Sequence, residues 1–271
     1  TYRTVGKALP RIEGVGKVTG ETKYAADLPF ENLLWAKVLR ASVPHARIAN
    51  IDTSKAKALQ GVRAVLTGAD VKDIYVGTPV KDQPVLAYDK VRMSGDAVAA
   101  VAADNEEIAE EAIGLIDVQY EELPYVEDPV EALKASAPLI HDDRGKYNNA
   151  PKLPEGVSPH NLQSYVLWKN GDLEAGFQKA ARVFEHTFRT PLSHHGYIEP
   201  CACTVQVHDD GRVEVWASNK GPWGLREQMA EDFGLQKENI KVHIVHVGGD
   251  FGAKESLVDV PVAFFLSKGT K

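Results

Sequence analysis

Cysteine is almost missing from this chain: Cys201 and Cys203 are the only two in 271 residues, and that excludes a disulfide framework. No second Cys pair exists to complete a zinc site. If residues 201–208 are extended, the spacing puts both thiols on one side of a strand, so they read as core thiols. Long apolar runs are missing too. The longest, residues 97–103 and 260–266, fall far below the roughly 18 residues a membrane helix needs. Basic excess is absent as well: 31 Lys and Arg stand against 38 Asp and Glu, for a formal charge of -7. Nothing is left over to neutralise a phosphate backbone or an anionic bilayer, so neither nucleic acid nor membrane is an expected partner. Residues 1–10 carry no charged start, apolar middle or small-residue cleavage site, so a cytoplasmic location is expected.

What is present is ordinary globular material, 44% hydrophobic and 25% charged, enough for two domains. Residues 32–41 and 63–67 read as strands, and residues 54–60 as a short helix with Ser54 as its cap and Gly61 just past its end. Residues 97–102 form a run of small apolar side chains, as in a buried strand. Asn105 then caps a helix whose first turn carries Glu106 and Glu107. Between residues 142 and 159 the composition shifts to Asp, Arg, Gly, Asn and Pro, which marks a linker. Beyond it, strands are predicted over 182–190, 203–208 and 212–217, the last two joined by a turn at Asp209, Asp210 and Gly211. Pro222 opens a helix through Phe233. Residues 239–247 alternate as a strand, and residues 254–267 read as a helix kinked or broken by Pro261.

The segment richest in chemistry is VGGDFGAKE, Val247 to Glu255, where a predicted strand runs into a glycine turn and a helix start. Gly248, Gly249 and Gly252 permit positive φ and close main-chain approach, and such a turn frees backbone N–H groups for an oxygen-rich ligand. A plain strand-to-helix connection would use the same glycines. Three nucleotide motifs fail. Lys254 lies between Ala253 and Glu255, which is no Walker A loop; Asp250-Phe251-Gly252 has no H-R-D partner; and the G-x-G-x-x-G spacing is missing.

VGGDFGAKE resembles the G-G-x-F-G-x-K-E segment of the molybdenum hydroxylases, the xanthine dehydrogenase and aldehyde oxidase family. Residues 11–28 (RIEGVGKVTGETKYAADL), 40–48 (RASVPHARI) and 89–104 (DKVRMSGDAVAAVAAD) resemble the α/β hammerhead domain of its molybdenum subunit. Residues 194–200 (HHGYIEP) and 216–235 (WASNKGPWGLREQMAEDFGL) resemble the start of its cofactor-binding domain. The implied fold is α+β: a hammerhead domain over 1–143, a linker over 144–159, and a first, incomplete part of the molybdopterin-binding domain over 160–271.

The resemblance makes Gly248, Gly249, Asp250, Phe251, Gly252 and Ala253 cofactor-facing, with a molybdopterin-type molybdenum cofactor, plain or as the cytosine dinucleotide. Glu255 matches the position that hydrogen-bonds a purine-like substrate; a first-turn helix carboxylate is its alternative reading. Two departures stand out. Asp250 replaces a usual Gly, bringing a negative charge beside an anionic cofactor. The usual Gln that supports a molybdenum oxygen ligand is also missing, and its place falls on Ser193 or His195, of which His195 still offers an imidazole N–H. Glu199 serves either the site or, as an acceptor, nearby backbone amides.

The family hydroxylates an electron-poor carbon, an N-heterocycle or an aldehyde, with oxygen from water. Electrons leave through [2Fe–2S] clusters to FAD. Its catalytic glutamate lies in a later segment, so no catalytic residue is expected in this chain, and either a second molybdopterin-binding chain or a segment missing from this one should supply it. Separate iron–sulfur and FAD subunits are expected for the same reason, since neither site is present in the sequence. A non-catalytic scaffold paralogue is the other reading.

Overall fold

The fold was obtained as a computed structural model that describes residues 2–142, 144–255, 257 and 259–270. Its centre is the Ala97–Ala103 strand, AVAAVAA, flanked by Trp35–Arg40 and Val62–Thr67 in an antiparallel three-stranded sheet. A strand buried on both faces shows no polar alternation, and this one has none. Its side chains still divide by parity. Ala100 and Ala102 face one core, while Ala99, Val101 and Ala103 face another with Ala56, Ala109 and Ala112. Small side chains let the Glu106–Gly114 helix lie close against the sheet. Asn105 caps that helix by accepting from the Ile108 N–H at 2.9 Å, as its position predicts.

A second three-stranded sheet pairs Ala46–Asp52 with Lys90–Val91 and with Asp117–Glu122, all antiparallel. The third sheet has Val213–Ala217 in its middle, antiparallel to Cys203–Val207 and parallel to Ile240–His243. The predicted hairpin at Asp209 to Gly211 therefore forms. One face of this sheet buries Val213, Val215 and Ala217 against the Pro222–Phe233 helix, which supplies Leu225 and Met229 and stops at Gly234, φ 66°. Phe233 stacks on Phe264 with ring centroids 4.8 Å apart. Burying each such ring stabilises by about 1.5–3 kcal/mol.

Both halves of the chain share a core. The Val260–Gly269 helix packs on the Cys203–Val207 strand and also reaches the Val62–Thr67 and Ala97–Ala103 strands, so Ala100, Ala102, Val215 and Phe264 belong to one cluster. Lys81 adds a polar tie, with its ammonium 2.6 Å from Asp232 and 2.8 Å from Glu231.

Several predicted elements are corrected. The last helix begins at Val260, not 254, so Pro261 sits in the first turn, where a missing N–H loses no bond, and no kink results. Positions 256 and 258 of that predicted helix, and Asp143 at the predicted first boundary, lie outside the described residues. The strand predicted over 239–247 stops at His243; beyond it only a bridge between Tyr24 and His246 continues the pairing. The early short helix spans Ser54–Ala58 with Thr53, not Ser54, as cap residue. Cys201 precedes the strand that Cys203 opens, and both are half-buried free thiols, Cys203 with its pKa pushed up to about 12 by burial.

The largest departure is residues 182–190, where no strand forms. A strand needs a ladder partner for its main-chain groups, and among the described residues none lies alongside. Over 163–196 only the Leu173–Lys179 helix is regular, and every residue but Ala175 is exposed. Trp168 is 91% exposed, Phe188 86% and Leu192 104%. Single exposed apolar side chains are ordinary; a series of them along one stretch of chain is not.

Candidate functional site

The glycine turn leaves the third sheet just after the His246 bridge. Its backbone is unusual: Gly249, Phe251 and Gly252 all have positive φ, at 97°, 52° and 95°. Phe251 is the costly one, since a left-handed conformation for a non-glycine residue costs about 1–2 kcal/mol and persists only where surroundings enforce it. Gly248 is required for another reason: a Cβ there would stand 2.6 Å from the Glu199 Cβ and 3.3 Å from the Tyr24 ring.

Beneath the turn lies a buried ion pair. Lys254 is fully buried, and its ammonium donates to Glu199 Oε2 at 2.6 Å and to the Glu199 carbonyl at 2.7 Å while sitting 4.6 Å from the Tyr197 ring centre. The three ammonium hydrogens are thus accounted for by two oxygens and a π face. Glu199 also accepts from the Gly248 N–H at 2.6 Å and from the Ser218 hydroxyl at 2.9 Å. Burial pushes the Glu199 carboxyl up, but the Lys254 ammonium, the Gly248 amide and the Ser218 hydroxyl outweigh it and hold the group below its ordinary value. Glu199 therefore serves as an acceptor for a backbone amide, one of its two sequence readings.

Above the turn, Asp250 folds back on the chain. Its carboxylate accepts from the Gly252 N–H at 3.0 Å and the Lys254 N–H at 2.5 Å, and pairs with the Lys220 ammonium at 3.0 Å. The Gly252 amide, the Lys220 ammonium and the Lys254 amide together lower its pKa to about 2. The charge that looks awkward in sequence is neutralised in place. Lys220 also reaches Glu255 at 3.1 Å. Glu255 is exposed and precedes the Val260 helix start by five residues, which removes its reading as a first-turn helix carboxylate.

These contacts use up the amides of Gly248, Gly252 and Lys254, and the Ala253 amide donates to the Asp250 carbonyl at 3.0 Å. Among the described residues, no acceptor lies on the N–H groups of Gly249, Asp250 or Phe251. Fewer amides are open than the glycine count suggests, because Asp250 and Glu199 take their share.

His195 joins the turn from the other side, with Nε2 3.8 Å from where a Gly252 Cβ would stand, and its ring stacks along Tyr197 at 6.4 Å. Of the two positions for the missing Gln, His195 is thus at the turn, and Ser193 is exposed. The Phe251 ring is 71% exposed and lies 3.3 Å from a Cβ placed on Gly249. All the predicted residues from Gly248 to Ala253, with His195 and Glu255, therefore meet at one place. Sequence reasoning gave no role to Lys220, Lys254, Ser218 or Tyr197. The only signal available was charge balance, since a turn with Glu199 and Asp250 nearby needs two cations. Each carboxylate here is already engaged: Glu199 with Lys254, Asp250 and Glu255 with Lys220. Among the described residues, no group of three or more His, Cys, Asp or Glu is placed to hold a metal directly, and no helix is long and apolar enough to cross a membrane.

Comparison with known proteins agrees with this picture. Residues 19–124 match "Aldehyde oxidase and xanthine dehydrogenase, a/b hammerhead domain", and residues 155–271 match "Molybdopterin cofactor-binding domain". Among curated proteins, a probable xanthine dehydrogenase subunit from Bacillus subtilis is 40% identical over 95% of this chain and 32% of its own length. The nicotinate dehydrogenase large molybdopterin subunit of Eubacterium barkeri is 34% identical over 94% of this chain and 57% of its own length. Among solved structures, reconstituted CO dehydrogenase from Oligotropha carboxidovorans superposes with a TM-score of 0.84 at 33% identity, covering 97% of this chain and 34% of that one. Quinoline 2-oxidoreductase from Pseudomonas putida 86 gives 0.84 at 28% identity, covering 99% and 34%. This chain thus spans between about a third and somewhat over half of these relatives. It carries sequence of both domains in the order in which they match, and it belongs to the xanthine dehydrogenase and aldehyde oxidase family of molybdenum hydroxylases.

Proposed function

We propose that this chain supplies one wall of a molybdenum-cofactor and substrate pocket in an enzyme that hydroxylates an electron-poor carbon with water-derived oxygen. The observation that carries this reading is the turn itself. The Gly249, Asp250 and Phe251 amides stay open beside an exposed phenyl ring held at positive φ, and a Cβ at Gly252 would project into clear space bounded only by the His195 imidazole. Open amides suit the oxygen-rich, anionic edge of a molybdopterin. Lys220, which Asp250 shares with Glu255, offsets part of the repulsion that the Asp250 carboxylate would exert on that edge. That weakens one of the two arguments for a scaffold paralogue, the other being the missing Gln.

When bound, the cofactor supplies the redox and oxygen-transfer chemistry. The part of this chain is placement. Gly249 to Phe251 donate main-chain hydrogen bonds, and the Phe251 ring covers an apolar edge and excludes water. His195 would offer the cofactor an imidazole N–H in place of the family's Gln, in whichever tautomer keeps that nitrogen protonated. Glu255 accepts from a ring N–H of the substrate, which favours an N-heterocycle over an aldehyde. No proton acceptor for the reaction is assigned here, since the three nearby carboxylates are paired; that base comes from a second molybdopterin-binding chain or a further segment. The exposed apolar series over residues 163–196 is the surface such polypeptide would cover. The expected partners are subunits whose [2Fe–2S] and FAD groups would take up the electrons, the cofactor would be molybdopterin or its cytosine dinucleotide, and the assembly would be cytoplasmic. The division into a hammerhead domain over 1–143, a linker over 144–159 and a partial cofactor domain over 160–271 is part of the same proposal. Metal and pterin analysis tests it: molybdenum should copurify with the native assembly and not with this chain alone, and a native assembly lacking molybdenum contradicts it.

A further inference from the structure

We propose that Lys220 is a positioning residue for the glycine turn, acting through Asp250 and linking it to Glu255; this rests on the functional reading above for its purpose but not for its test. Three residues of four in the turn hold positive φ, one of them Phe251, and such a backbone must be over-determined from outside. From below it is held by Glu199 and Lys254. From above it is held by the Asp250 carboxylate, which bonds the Gly252 and Lys254 amides at 3.0 and 2.5 Å. Lys220, at 3.0 Å, joins those two amides in holding the carboxylate in one rotamer and balances its charge. Lys220 is itself fixed, because its own N–H donates to the Lys254 carbonyl at 3.0 Å, just past the end of the Val213–Ala217 strand. The next residues brace it further: the Gly221 N–H donates to the Asn219 side chain at 2.7 Å.

The consequence reaches beyond the turn. Lys220 is 40% exposed and its second partner, Glu255, is 66% exposed, with 3.1 Å between them. One ammonium therefore sets both the arrangement of the cofactor-facing amides and the direction of the substrate-facing carboxylate. A substrate N–H approaching Glu255 shares that carboxylate with Lys220, whose Asp250 bond stays in place because Asp250 is tied to the backbone. Without Lys220, Asp250 and Glu255 would repel each other across the turn.

The test uses amide hydrogen exchange at Gly252 and Lys254, read on the full chain in its native assembly. Lys220→Ala should speed exchange at both amides by about tenfold, the scale of one lost charge-assisted contact, and Lys220→Arg should restore protection. In an Asp250→Gly background, where the clasp no longer exists, adding Lys220→Ala should change nothing further. Unchanged exchange in Lys220→Ala, or equal effects of that substitution with and without Asp250, would overturn the proposal. If Lys220→Ala does not assemble, Lys220→Met in place of Ala gives the same comparison. The exchange readout needs no molybdenum, so its failure is distinct from failure of the functional reading.

Discussion

Replacing Lys254 by Met tests the energetics of the site most sharply. The side chain is fully buried and Glu199 retains only 10% exposure, so the substitution strands a carboxylate where water cannot reach it freely. Glu199 keeps its bonds from Gly248 and Ser218 but loses the two lysine contacts at 2.6 and 2.7 Å, one to its carboxylate and one to its carbonyl. Breaking one side of a buried pair costs about 3–5 kcal/mol, which is a large share of the roughly 5–15 kcal/mol that holds a domain together. Removing both charges, as in Lys254→Met with Glu199→Gln, leaves no uncompensated ion, so the double variant should be more stable than Lys254→Met alone by about 2 kcal/mol or more. Urea titration of the native protein, the single variants Lys254→Met and Glu199→Gln and the double variant, followed by tryptophan fluorescence, measures each value. The pH dependence carries an independent sign. The Glu199 carboxyl is held below its ordinary value in the fold, so its stabilisation is present above the unfolded pKa and fades as pH falls through the folded one. That acid-side slope should shrink in Lys254→Met. Purely additive single and double variants, or a Lys254→Met loss under about 1 kcal/mol, would refute the assignment of this pair as the support beneath the turn.

Gly248→Ala places a methyl 2.6 Å from the Glu199 Cβ; it should destabilise by about 1–3 kcal/mol, seen as a lower urea midpoint, although this glycine has no positive φ. The Asp250 clasp should open in acid: with its pKa depressed from 3.8 to about 2, its contribution is complete above the ordinary value and is lost as pH falls through the folded one. Protection of the Lys254 amide, corrected for intrinsic exchange, should therefore be lost between about pH 4 and pH 2. Asn105→Ala removes the helix cap that accepts from Ile108 and should cost about 1 kcal/mol in the same titration.

How far the sequence carries depends on where a residue finds its partners. The Asn105 cap, the hairpin around Gly211 and the Pro222–Phe233 helix ending at Gly234 are local features, and each is legible because its determinants lie within a few residues. The central strand is legible as buried because alanine and valine fill every position, but its division between two cores needs the fold. Residues 182–190 carry strand-like side chains without a strand, because pairing is a property of two segments and no described segment pairs with this one. The site divides in the same way. The glycine turn announces itself through its composition. The Lys254–Glu199 and Lys220–Asp250 pairs do not, since the first joins residues 55 apart in sequence and the second joins a strand end to a loop. Asp250 shows the limit clearly: read alone it is an unwanted charge, and beside Lys220 it is a cap.

If the open amides of the turn face the cofactor, hydrogen exchange at Gly249, Asp250 and Phe251 reads it directly. The native assembly is compared as purified from molybdate-replete and from molybdate-starved cells. The account predicts that these three amides gain protection only when molybdenum is bound, while Gly252 and Lys254, already bonded to Asp250, change little. Equal exchange at Gly249, Asp250 and Phe251 in the two preparations, at matched assembly and measured molybdenum content, would contradict it.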